Sequence, residues 1–229
     1  TELGGEVYWD DAQSGPRPGV LVVHEWWGLN DYARERARQL AAQGYVAFAA
    51  DMYGKGRVTD HPEDAGRWMS EITANVGTWR ERATLALETL AARPQADPAR
   101  LAAIGYCFGG ATVMQLAYAG AELKGVASFH GPLPIGTPEE FAAVKAKVLV
   151  EHGAADPFIK PGHAARFKEV LGASGIDLRM HEHPGAKHGF TVPGADARGM
   201  DGVAYDAAAD RASWAALQAF LAEIFAPAR

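Results

Sequence analysis

The sequence predicts an α/β fold in which a mostly parallel sheet carries helices on both faces. Two observations lead there. Short runs that are apolar at almost every position alternate along the chain with longer amphipathic stretches. A strand with no polar face needs cover on both sides, which is the situation of a parallel sheet between helical layers. The chain has 229 residues, 48% apolar and 22% charged, enough to bury a sizeable core as one domain spanning 1–229.

The elements follow in order. Val20 to His24 reads as a buried strand. Asn30 is a fitting N-cap for a helix over Asp31 to Gln43, which Gly44 ends. Tyr45 to Ala50 is a second strand, and the polar, Gly-rich stretch from Met52 to Arg67 is expected to be a surface loop. A helix over Asn75 to Arg93 stops at Pro94 and leads to a strand over Leu101 to Gly105. An apolar helix, Gly109 to Ala119, comes next. Strands are then expected at Val126–Phe129, Val148–Glu151 and Leu178–His181, with helices at Ala164–Leu171 and Asp206–Phe225.

Bulk chemistry excludes several classes. The formal net charge is -6 and no basic run occurs, so a phosphate-backbone partner is excluded. The single cysteine, Cys107, permits no intrachain disulfide and suits a reducing compartment. No apolar run is long enough to span a bilayer, and Thr1 to Asp10 lacks the basic-then-apolar pattern of a leader. The expectation is a cytoplasmic protein, monomeric or weakly dimeric, acting on a small molecule without membrane or nucleic-acid partners.

In sheets of this kind, ligands sit beyond the carboxyl ends of the strands. Glu25, Asp51, Cys107, His130, His152 and Asp156 all follow strand ends. Among them, Gly105-Tyr106-Cys107-Phe108-Gly109-Gly110 has the strand–turn–helix setting of a nucleophile elbow, with Cys in the place more often held by Ser. The turn is so tight that side chains two positions from the nucleophile would collide with neighbouring backbone. The helix N-terminus beyond it favours a thiolate and directs N–H groups toward a reacting carbonyl. The competing reading is an inert buried Cys in a Gly-rich turn.

An elbow implies partners in the chain order nucleophile, acid, histidine. Asp156 lies in the turn after the Val148–Glu151 strand, where it could instead cap the helix that follows Pro161. His188 lies in a Gly-bracketed loop before the last helix. Its one serious rival among eight histidines is His130. His24 and His152 are expected to be packed near the site. His181 and His183 share a strand face, but no Cys or spaced carboxylate completes a ligand pattern, so they are taken as an exposed strand edge. No metal or cofactor is expected, and no G-x-G-x-x-G supports a dinucleotide enzyme.

With these residues, and with His24-Glu25-Trp26-Trp27-Gly28, Ala50-Asp51-Met52-Tyr53-Gly54 and His188-Gly189-Phe190, the chain resembles the dienelactone hydrolase family from Val20 to Phe225. The resemblance implies a single-domain α/β-hydrolase fold without a large cap domain. It implies that Cys107 attacks, His188 is the base, Asp156 orients it, and Glu25 takes part in activating the thiol. It also implies an oxyanion hole from the N–H groups of Trp26 and Phe108. Independently, a Glu directly after a buried strand needs a partner or a purpose; the bland partner would be Arg34.

Family members acting on dienelactones grip the substrate carboxylate with two arginines. This chain has Lys55 at one of those places and Val192 at the other. Lys55, Tyr106, Trp27 and Phe190 are therefore the expected substrate contacts, in an aromatic pocket favouring uncharged acyl or lactone groups. Arg57 and Arg198 are candidates to restore a cation. The expected activity is hydrolysis of an activated ester or lactone through a thioester. A ligand-binding protein of the same fold, with no hydrolytic role, is the alternative.

Overall fold

The computed structural model describes residues 3–227. In chain order the first half comprises β1 (Gly4–Tyr8), β2 (Arg17–Val23), α1 (Asp31–Ala42), β3 (Val46–Asp51), α2 (Pro62–Thr73), α3 (Val76–Ala91), β4 (Ala96–Tyr106) and α4 (Phe108–Tyr118). The second half comprises β5 (Gly125–Phe129), α5 (Pro138–Ala143), β6 (Lys147–Gly153), α6 (His163–Ala173), β7 (Leu178–His183), a 3₁₀ turn over Ala195–Arg198 and α7 (Ala207–Ile224).

The seven strands form one sheet in the order β1-β3-β2-β4-β5-β6-β7. All neighbours are parallel except β1, which runs antiparallel along β3 at the edge. The period-two alternation of the strands sorts their side chains into two cores. Val20 and Val22 join α1 and α7 on one face. Leu21 and Val23 join α3, α4 and α6 on the other. Each fully buried Val or Leu contributes about 1.5–3 kcal/mol of hydrophobic stabilisation. Sheet and helices thus hold the carboxyl ends of the strands as a rigid rim.

The structure departs from the sequence reading in three places. The stretch read as a loop from Met52 to Arg67 is irregular only to His61; Pro62 then starts α2, where its missing N–H costs nothing. The edge strand β1 is only half-buried, so it lacks the apolar run that marks central strands. The short helix α5 opens on a capping box in which Thr137 and Glu140 satisfy each other's backbone. The α1 cap is as expected, with the Asn30 side chain accepting from the Ala33 N–H at 3.3 Å.

Candidate active site

β4 delivers its last residue, Tyr106, into the sheet and α4 begins at Phe108. Cys107 alone makes the turn, at φ 52° and ψ -116°, a conformation that L residues rarely adopt. The turn closes this tightly because its neighbours are glycines. A Cβ on Gly105 would stand 2.0 Å from the Gly109 carbonyl oxygen, and one on Gly109 would stand 2.3 Å from that of Val23. Phe108 opens the helix, so its N–H belongs to the first turn, which has no intrahelical acceptor.

At the end of β6, Asp156 folds back, its N–H donating to Gly153 O at 3.0 Å. One carboxylate oxygen accepts from the Phe158 N–H at 2.8 Å, and the other pairs with His188 Nδ1 at 2.8 Å. The loops bearing Asp156 and His188 are laced together, with Ala155 N donating to Ala186 O at 2.9 Å. A side chain on Gly153 would strike the same Ala186 carbonyl at 2.6 Å. His188 and Cys107 line the same cavity. Burial disfavours the imidazolium, but neighbouring Cys107 and Asp156 outweigh it and raise the His188 pKa well above the ordinary histidine range.

Glu25 follows β2 and is 5% exposed, with Oε2 buried and unpartnered. Burial raises its pKa, while the charges of Arg198 and His188 work in the opposite direction. Arg34 pairs instead with Glu6 at 2.8 Å and with Asp31 at 3.4 Å, so the bland salt bridge is not formed. His24 is buried and neutral, its pKa lowered to about 4 chiefly by burial. Its Nε2 accepts from the Met52 N–H at 3.1 Å, tying the ends of β2 and β3 together.

Cys107, His188 and Glu25 open into one cavity of about 220 Å³, walled also by Trp26, Trp27 and Phe158. Three of the four expected substrate contacts lie elsewhere. Tyr106 is one residue before Cys107, so the alternation of β4 sends it to the opposite face, against Tyr32 and Phe129. Phe190 is wholly buried beneath His130 and His183. Lys55 sits in a left-handed turn at φ 60° and lines a separate depression with Arg57 and Arg82. Only Trp27 reaches the cavity, and over its ring, at 4.2 Å, lies the guanidinium of Arg198.

The other histidines are also placed. His130 is fully buried, and its Nε2 lies 2.7 Å from Thr191 Oγ1 rather than at Asp156. His181 and His183 are not a bare edge: both bond the buried carboxylate of Glu151, at 2.8 and 2.7 Å. A Glu directly after the apolar run Val148–Val150, still within the strand, was the available signal for that cluster. Among the described residues no group of His, Cys, Asp and Glu side chains has an arrangement that could hold a metal ion. No described helix is long and apolar enough to cross a membrane.

A parallel sheet with helices on both faces, a thiol on a strand–turn–helix elbow at its carboxyl edge and an acid–histidine pair lining the same rim define the α/β-hydrolase class. The family model described as "Dienelactone hydrolase family" matches residues 5–225. A putative carboxymethylenebutenolidase of Aquifex aeolicus is 30% identical over 178 residues, covering 76% of each chain. A crystal structure of a dienelactone hydrolase-like promiscuous phosphotriesterase from metagenomic libraries is 40% identical, with a TM-score of 0.93 over 97% of this chain and 92% of that one. A second structure, "m3DLH", is 42% identical with the same TM-score and the same coverage. The chain belongs to the dienelactone hydrolase family and is an ester or lactone hydrolase.

Proposed function

We propose that this hydrolase cleaves activated esters or lactones through a Cys107–His188–Asp156 triad and a thioester intermediate. The observation that carries this is His188, bonded to Asp156 at 2.8 Å, lining one cavity with Cys107 at the tip of its elbow. The thiolate of Cys107 adds to the substrate carbonyl, and the N–H groups of Phe108 and Trp26 receive the oxyanion. On collapse, the C–O bond to the leaving group breaks and His188 gives that oxygen its proton. Water then adds to the thioester as His188 takes a proton from it, and the C–S bond breaks to release the acid and restore the thiolate. Glu25 lines the same cavity, its pKa raised by burial against the opposing charges of Arg198 and His188, and takes part in activating the thiol.

Sulfur limits the substrates. A thiolate leaves a tetrahedral intermediate more readily than an alkyl alkoxide, so the substrate must carry a better leaving group. Enol lactones, aryl esters and thioesters meet that demand, and amides do not. An aryl dialkyl phosphate offers the same aryloxide leaving group, and the 40% identical relative is a phosphotriesterase, so it is the second substrate class. The cavity walls suit apolar acyl groups, and Arg198, the one Lys or Arg lining the cavity among the described residues, is available to meet an anionic substituent.

The test is a panel of p-nitrophenyl esters, an enol lactone, an acyl thioester and an aryl dialkyl phosphate, run with mass spectrometry of quenched enzyme. An acyl adduct on Cys107 that decays at the turnover rate is expected. Turnover with the mass of Cys107 never changing would overturn the thioester route. Stoichiometric binding without turnover of any substrate would favour the ligand-binding alternative.

A further inference from the structure

We infer that Thr191, three residues beyond the proposed base, is a positioning residue that fixes the His188 imidazole by tying its loop to α1 and to the end of β5. This rests on the triad proposed above. Thr191 is 1% exposed and belongs to no helix or strand. Its Oγ1 lies 2.5 Å from Tyr32 Oη on α1 and 2.7 Å from His130 Nε2 just after β5. Its carbonyl accepts from Arg36 Nη2 at 2.9 Å. Arg36 in turn bonds Tyr32 Oη at 3.3 Å, pairs with Asp210 on α7, and lies 4.9 Å from the Trp214 ring centroid. One short residue therefore joins the His188 loop directly to α1 and the end of β5, and through Arg36 to α7.

Burial, His188 and Arg36 all hold His130 neutral, so it has one ring proton. Its Nδ1 is buried without a partner, and a buried lone pair is less costly than a buried N–H. His130 Nε2, Thr191 Oγ1 and Tyr32 Oη form one hydrogen-bonded chain, with links of 2.7 and 2.5 Å. His130 is set for this bond at φ 38°, a left-handed conformation unusual for a histidine. Its ring meets those of His188 and Phe190 edge to face, at 5.3 and 5.4 Å between centroids. Thr191 thus acts on His188 twice, along the chain and through the His130 wall.

Thr191→Val keeps the shape and removes the hydroxyl, leaving His130 Nε2 buried without a partner and Tyr32 Oη with Arg36 alone. With a p-nitrophenyl ester, kcat is expected to fall about tenfold with KM changed by less than about twofold, the pattern of a misaligned base rather than a damaged pocket. The second readout is NMR titration of the His188 imidazole, which works whether or not the protein turns over any ester. The groups that face His188 are Cys107, Asp156, Glu25, His130 and His152. A looser His188 holds Cys107 and Asp156 less well, so in Thr191→Val its deprotonation moves down toward the ordinary histidine range.

Thr191→Ser restores the hydroxyl, and both readouts should return most of the way. Tyr32→Phe removes one of the two contacts and gives the same test at smaller amplitude if the Val variant does not fold. Unchanged kcat and an unchanged His188 titration in folded Thr191→Val, with only a lower Tm, would overturn the inference. If wild-type protein hydrolyses nothing in the panel, the triad's function fails, while the titration still decides whether Thr191 orients the histidine.

Discussion

Gly105→Ala tests the elbow at its tightest point. The new Cβ would lie 2.0 Å from Gly109 O, 2.2 Å from Gly109 C and 2.8 Å from Gly110 N, all backbone atoms of the first turn of α4. Ordinary carbon–oxygen contact begins near about 3.3 Å, so the turn must retreat by roughly 1.3 Å. On its far side, Gly109 is pressed against the Val23 and His24 carbonyls, which closes the direction of retreat. Overpacking of this kind costs about 3 kcal/mol, the upper part of the usual range. In a domain of this size that lowers Tm by about 6–12 °C. The displaced atoms include Cys107 and the Phe108 N–H, and a shift of about 1 Å at reacting groups costs on the order of a hundredfold in rate. The assay is thermal melting with p-nitrophenyl ester kinetics, with Gly172→Ala as control. Gly172 lies inside α6 with nothing within 4 Å of an added Cβ, so that change should stabilise by about 0.5–1 kcal/mol and leave the rate alone. A Gly105→Ala protein with Tm within about 2 °C and kcat within about threefold of wild type would refute the close-contact account of the elbow.

Cys107→Ala is expected to lower kcat by at least about a thousandfold with the melting curve intact, measured on the same ester. His188→Ala should match it, whereas His130→Ala, which leaves the Asp156–His188–Cys107 line in place, should lose no more than about tenfold; the reverse ranking would reassign the base. For Glu25 the sign follows from its raised pKa: the stability it contributes is whole below the unfolded carboxylate value of 4.5 and is lost as pH rises through the higher folded value. Glu25→Gln should therefore narrow the loss of Tm between pH 5 and pH 9 and slow acylation in stopped-flow; identical melting profiles and acylation rates would reduce it to a spacer. Arg198→Met should cut kcat/KM for a carboxylated lactone by about tenfold and for an uncharged aryl ester by less than about twofold, since a charged hydrogen bond contributes about 1.5–3 kcal/mol; equal losses on both would show that the side chain only shapes the cavity.

The central strands were legible because each is buried on both faces and reads as a continuous apolar run. The edge strand β1, half in water, carries no such mark, and α2 presents mainly Ala65 and Ile72 to the core. Cys107, Asp156 and His188 stood out as candidates because each sits in a turn with glycine nearby, just past a strand end or before the closing helix. What a linear reading missed was rotation and loop path. Tyr106 adjoins the thiol in sequence and faces away from it, and Phe190 follows the histidine but is fully buried. Arg198 reaches the cavity because Gly194 and Gly199 turn left-handed at either end of its 3₁₀ segment. Thr191 carries no sequence signal, since a lone Thr in a loop is ordinary until its hydroxyl meets Tyr32 and His130.

The conformation of Cys107 has a consequence for how this chain can change. At φ 52° and ψ -116° a residue with a side chain pays on the order of 1–3 kcal/mol that glycine would not. Selection for heat resistance alone would therefore favour glycine at 107, and the sturdiest descendants would be those with no sulfur to attack with. Robustness and reactivity compete at a single backbone position, so any campaign to harden this enzyme must screen for turnover in the same round.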